Sequence, residues 1–230
     1  MALLLFVSIV LPITSDQSQA SDVWSEERIR IEHESNIAYN NILNSYLTPE
    51  YEYDYNDIYS GAYLNPEGRL VVMITTTPDP MVAQELYGGF ESNILSDAVL
   101  FDSETFNKKS VAFKDAAYEL FALTKLEDGT ELYFQEAMYS YSYLNSIMEE
   151  LGNACRQHNN DKDSMWSQVT DFSLHDPDNC ISVSILNIDD SKIERFLSEA
   201  GYAELFTFKN AEAFYEFAAD VYAGHAVLNK

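Results

Sequence analysis

Two proline turns sort this chain's strand-like segments into pairs. Asn65-Pro66-Glu67-Gly68 lies between Ile58 to Leu64 and Arg69 to Thr76, the second run reading RLVVMITT. Asp176-Pro177-Asp178-Asn179 lies between residues 166–174 and 180–188, the second run reading CISVSILNI. Proline presets φ early in a turn, and Gly or Asn tolerates the positive φ that often ends one. β-branched residues on the flanks favour extended backbone. Two hairpins are expected.

Each hairpin is followed by helical patterning and then another apolar run. After the first come helices over 81–90 and 111–126, an Asp128-Gly129 turn and a strand over 131–138. After the second comes a helix with Ser191 as N-cap and Glu194 completing a capping box. Its apolar stripe is Ile193, Phe196, Leu197 and Ala200, and Gly201 suits its end. A closing strand is expected over 203–208. The pattern predicts an α+β fold of small antiparallel sheets. Two hairpin–helix–strand units carry helices packed on one face.

Two more helices frame these units. Residues 22–47 read as one, stopped by Thr48-Pro49. Residues 140–152 read as another, with Tyr141, Leu144, Ile147, Met148 and Leu151 at helical spacing and Gly152 able to end it. Residues 50–57, EYEYDYND, alternate acid with tyrosine and read as a solvated approach to the first hairpin. Residues 91–110 carry no clear period. The expected division is a signal peptide over 1–20, an N-terminal helix over 21–49, a first unit over 50–138, a second over 139–208, and a tail or helix over 209–230.

The charge narrows the partners. With 38 acidic against 13 basic side chains the net charge is −25. Binding a phosphate backbone needs clustered Lys and Arg, so nucleic acid is not expected, and an anionic membrane surface is disfavoured for the same reason. At 47% hydrophobic residues, the chain has material for a core.

The N-terminus reads as a cleaved signal. Leu3 to Leu11 is an apolar run too short to span a bilayer, which needs about 20 residues. Ser18 and Ala20 are small residues at −3 and −1 of a cut near Ala20, although no Lys or Arg precedes the apolar run. The protein is expected to be secreted, with no membrane contact after signal removal. In that compartment Cys155 and Cys180 either form a disulfide or stand as two separate thiols. A bridge would close a loop of 24 intervening residues, worth roughly 3 kcal/mol.

No catalytic motif is evident. GxSxG, SxxK, HExxH and the P-loop are all missing from the sequence. The four histidines, His33, His158, His175 and His225, lack zinc-finger spacing. His175 and Asp176 could orient one another, but a polar turn is the simpler reading. No catalytic residue, metal or cofactor is expected.

Certain residues look familiar as a set. Gly61-Ala62-Tyr63-Leu64, Gly68-Arg69-Leu70-Val71-Val72 and Thr75 resemble a GAY–turn–LVV–T hairpin found in secreted proteins of Gram-positive bacteria. Tyr139-Ser140-Tyr141-Ser142-Tyr143-Leu144-Asn145 resembles the YSYxxLN start of a central helix in the same module. That module is similar to the pro-region of alpha-lytic-type, chymotrypsin-like serine peptidases. The resemblance spans about 150 residues, from 57 to 208. It implies a folding assistant and inhibitor that adds strands to a peptidase hairpin and lays its tail in the active-site cleft. Residues 166–208 would then carry the interface sheet, and Val221, Tyr222, Ala223 and Gly224 the partner-binding tail. The family's catalytic domain has no counterpart in these 230 residues, so action in trans, or a relic of it, is implied. An extracellular structural or adhesive module with no peptidase partner is the alternative.

Overall fold

The computed structural model describes residues 25–87, 92–126, 131–158, 161 and 163–211. The expected signal peptide, the end of the helix expected over 81–90, the Asp128-Gly129 turn and the tail Val221 to Gly224 lie outside the described residues.

The first helix, α1 (Glu26–Tyr46), starts where Ser25 accepts a hydrogen bond from the Arg28 N–H. Glu26 and Glu27 in its first turn suit the positive end of the helix dipole. Its buried residues Ser35, Ala38, Ile42 and Tyr46 recur every three or four positions and form one stripe. Ser35 and Ala38 are small, which lets the helix approach the first hairpin closely. The Ser35 hydroxyl donates to the Gly68 carbonyl at 2.9 Å and accepts from the Leu70 N–H at 3.1 Å.

That hairpin is β1 (Tyr59–Leu64) and β2 (Leu70–Ile74), paired antiparallel around the expected turn. The chain then forms α2 (Pro80–Tyr87), the two-residue strand β3 (Val99–Leu100), a single helical turn α3 (Glu104–Asn107), α4 (Val111–Thr124) and β4 (Tyr133–Glu136). The sheet order is β1-β2-β4-β3. Leu70, Val72 and Ile74 face a core shared with Ile42, Phe113, Leu120, Leu132 and Phe134. Burying each such side chain is worth roughly 1.5–3 kcal/mol.

The second unit repeats the topology. α5 (Tyr141–His158) leads to the hairpin β5 (Val169–His175) and β6 (Cys180–Ile185), then α6 (Asp190–Ala200) and β7 (Phe206–Asn210). The sheet order is β5-β6-β7. Its core gathers Leu144, Ile147 and Leu151 of α5, Met165, Trp166, Ile181, Val183, Ile185, Phe196 and Phe206.

The architecture is therefore α+β with two small sheets, as expected, but the sheets are mixed. β2 pairs with β4 in parallel, and β6 pairs with β7 in parallel. The reason is geometric. A helix between two strands of one sheet carries the chain back to its starting end, so the next strand runs in the same direction.

Several boundaries move. The α6 N-cap is Asp189, whose carboxylate accepts from the Lys192 N–H at 2.9 Å, and Ser191 already lies inside the helix. α5 runs past Gly152 to His158, with that glycine buried in the helix rather than ending it. The expected strand over 166–174 opens with a 3-10 turn, Met165–Gln168. The stretch 91–110 holds β3 and α3.

Candidate functional site

The loop His175-Asp176-Pro177-Asp178-Asn179-Cys180 closes the second hairpin and lies against the edge of the first sheet. Asp176–Asp178 form a 3-10 turn, and Asn179 adopts left-handed backbone at φ 49°. Asn tolerates that conformation better than most residues because its short amide bonds locally. Alternate residues of the loop then serve different surfaces.

Asn179 is fully buried and joins the two units. Its Nδ2 donates to the Ser60 carbonyl at 3.2 Å and the Tyr139 carbonyl at 2.9 Å. Its Oδ1 accepts from the Tyr139 N–H at 2.8 Å. Asn93 adds to the same seam, its Nδ2 donating to the carbonyls of Asn179 and Glu204, each at 3.1 Å.

Asp176 caps the same edge strand two residues along, where its carboxylate accepts from the Ala62 N–H. Together Asp176 and Asn179 satisfy an outward-facing N–H and carbonyl of β1, a strand with only one sheet neighbour. The approach requires a glycine between them. Gly61 has φ +112°, and a Cβ there would sit 3.0 Å from the Asp176 Oδ1.

Aromatic rings surround this contact. Tyr55 lies 4.6 Å from Tyr141, centroid to centroid, and 5.7 Å from Tyr59, while Tyr59 lies 5.5 Å from both Tyr46 and Tyr141. The 50–57 segment thus divides. Tyr51 is largely exposed, Tyr53 is half-exposed and stacks on Tyr55, and Tyr55 packs on the core. Burial in this apolar setting pushes the Asp176 carboxyl up to about 7, opposed by the Ala62 hydrogen bond. Burial and the nearby Asp176 carboxylate push the Tyr39 hydroxyl up to about 12.

The rest of the loop offers a different chemistry. His175 and Cys180 are direct cross-strand partners in the hairpin. With Asp178 they place one ligand atom each within 4.8 Å of one another. His175 Nδ1 lies 3.1 Å from Asp178 Oδ2, so the acid beside this ring is Asp178. Asp176 turns away to β1. An imidazole, a carboxylate and a thiol converging in this way could hold a metal ion.

Cys155 and Cys180 are free cysteines, and no bridge joins them. Cys180 is buried at the start of β6, its Sγ 3.7 Å from Thr207 Oγ1, while Cys155 lies on the half-exposed side of α5. Burial raises both thiols above their ordinary range.

Two hollows among the described residues lie elsewhere. One, between α1 and the first sheet, holds about 10 Å³, enough for a single water. Another is an open groove of about 230 Å³ beside α4, carrying Asp115 and Glu119. No described helix is long and apolar enough to cross a membrane. No family model matches this chain, and no curated protein matches it significantly.

Proposed function

We propose that this protein is an exported, non-catalytic module that acts by protein–protein contact on a chymotrypsin-like serine peptidase. The observation that carries this reading is the second sheet. β7 has β6 on one side only, and Thr207, Lys209 and Asn210 along it are exposed. An edge strand of this kind can extend a sheet across to a partner's hairpin through backbone hydrogen bonds. The resemblance of residues 57 to 208 to a peptidase pro-region names the partner class. The charge of −25 would speed encounter with a basic partner.

The test is inhibition of a panel of secreted chymotrypsin-like peptidases by the full chain, and by a form lacking residues 212–230. That cut leaves β7 intact. Inhibition that weakens at least about tenfold on truncation, as expected when a tethered second contact is lost, supports the reading. Failure of the full chain to inhibit any such peptidase overturns it. Binding to a surface polymer instead would identify an adhesive module.

A further inference from the structure

We propose that His175, Asp178 and Cys180 form a zinc site at the tip of the second hairpin, with water as the fourth ligand. The hairpin register builds it. A four-residue loop sets His175 opposite Cys180, and Asp178 projects from the loop between them.

The geometry suits a tetrahedral ion. Zinc binds imidazole nitrogen and carboxylate oxygen at about 2.0–2.1 Å, so two such ligands on one ion sit about 3.3 Å apart. His175 Nδ1 and Asp178 Oδ2 are 3.1 Å apart. All three ligand atoms fall within 4.8 Å of one another, against about 3.6 Å for a sulfur and its neighbours around zinc. A contraction of about 1 Å closes the set, which rotation of two surface side chains can supply. Asp178 is 62% and His175 39% exposed at the side chain.

The ring nitrogen is otherwise left over. His175 Nδ1 is a buried atom that makes no hydrogen bond among the described residues, although the Asp178 carboxylate is beside it. A metal between them would use both lone pairs. The thiol has support behind it, because Thr207 Oγ1 can donate to Cys180 Sγ. Thiolate and carboxylate together offset the charge of a divalent ion. A thiolate–imidazole pair favours zinc over calcium or magnesium, which take oxygen ligands. The exposed outer side leaves room for water. Since Asp176 and Asn179 alternate with the ligands, the ion would stiffen the same loop that holds the two sheets together.

The experiment uses the full chain, reduced and stripped of metal, with Co²⁺ as the spectroscopic probe and Zn²⁺ as competitor. The expected result is one Co²⁺ per chain, with a thiolate-to-cobalt charge-transfer band and tetrahedral d–d bands, displaced by Zn²⁺ but not by excess Ca²⁺. Cys180→Ser should abolish the charge-transfer band, and His175→Ala should weaken binding by more than about a hundredfold, beyond the usual loss for a supporting residue. Cys155→Ser should change neither. Because a variant could misfold, Zn²⁺ protection of Cys180 against alkylation in the unaltered chain is measured alongside, with Cys155 as the unprotected reference. Absence of a thiolate band, displacement by Ca²⁺, or equal alkylation of both cysteines in Zn²⁺ would overturn the site.

Discussion

The side-chain amide of Asn179 and the backbone of Tyr139 close a two-bond ring. Oδ1 accepts from the Tyr139 N–H at 2.8 Å, and Nδ2 donates to the Tyr139 carbonyl at 2.9 Å. The amide thus plays the part of a neighbouring strand residue. Tyr139 begins the YSYSYLN segment, whose helix α5 starts at Tyr141. Replacing Asn179 by Ala leaves buried backbone groups of Tyr139 and Ser60 unpaired and puts Ala in left-handed backbone. Asn179→Ala should lower unfolding stability by about 3 kcal/mol, read from urea titrations. A loss below about 1 kcal/mol would mean that water replaces the amide.

Gly61→Ala tests the close approach of the two sheets. The new Cβ meets the Asp176 carboxylate and the Met73 side chain, at a φ that L-residues avoid. A loss of about 2 kcal/mol is expected. In an Asp176→Ala background the same change should cost less, because the clash is gone while the backbone strain remains. Equal losses in both backgrounds would place the conflict elsewhere.

Asp176 should make stability fall as pH rises towards neutrality. Its carboxyl is raised from an ordinary value of 3.8 to about 7, so the native state prefers the proton. That contribution is complete below about pH 4 and is lost as pH climbs through 7. Asp176→Asn keeps an oxygen to accept from the Ala62 N–H and removes the charge. In metal-free buffer it should raise stability at pH 8 by on the order of 3–4 kcal/mol and change little at pH 4. A variant no more stable at pH 8 than the parent would show that the carboxylate is well solvated.

The tyrosines set an upper pH limit. Burial pushes Tyr39 and Tyr139 up to about 12, and raises Tyr46, Tyr55, Tyr59 and Tyr141 as well. A phenol whose folded pKa lies above its unfolded value stabilises the fold fully below about pH 10 and loses that effect above it. Ultraviolet titration should show the buried set ionising only as the fold opens. Simultaneous ionisation of all tyrosines near pH 10 with the fold intact would contradict the packing.

Much of the secondary structure was legible. The hairpin turns, the burial of β2 and the stripe of α6 all follow from local chemistry, since turn residues and side-chain period act within a few positions. β3 was not, because two residues have no period and Val99–Leu100 are a strand only through pairing with β4. Ser191 and Glu194 form the more familiar capping pattern, yet the chain turns helical one residue after Asp189.

The candidate site was half legible. The sequence shows Asp176-Pro177-Asp178-Asn179 as a turn and His175-Asp176 as polar residues in it, while the pairing of His175 with Cys180 comes from the hairpin register. Which carboxylate would face them was not readable, as Asp176 and Asp178 are chemically alike.

By itself the sequence determined most of the elements, the two-unit pattern and the large negative charge, because propensity, periodicity and composition are local or additive. Only the tertiary structure decided that the closing strands run parallel, that Asp176 and Asn179 cap the edge of β1, and that His175, Asp178 and Cys180 converge. Those outcomes depend on where one unit's backbone leaves hydrogen-bonding groups unpaired and on whether the other can reach them, which no local window of residues contains.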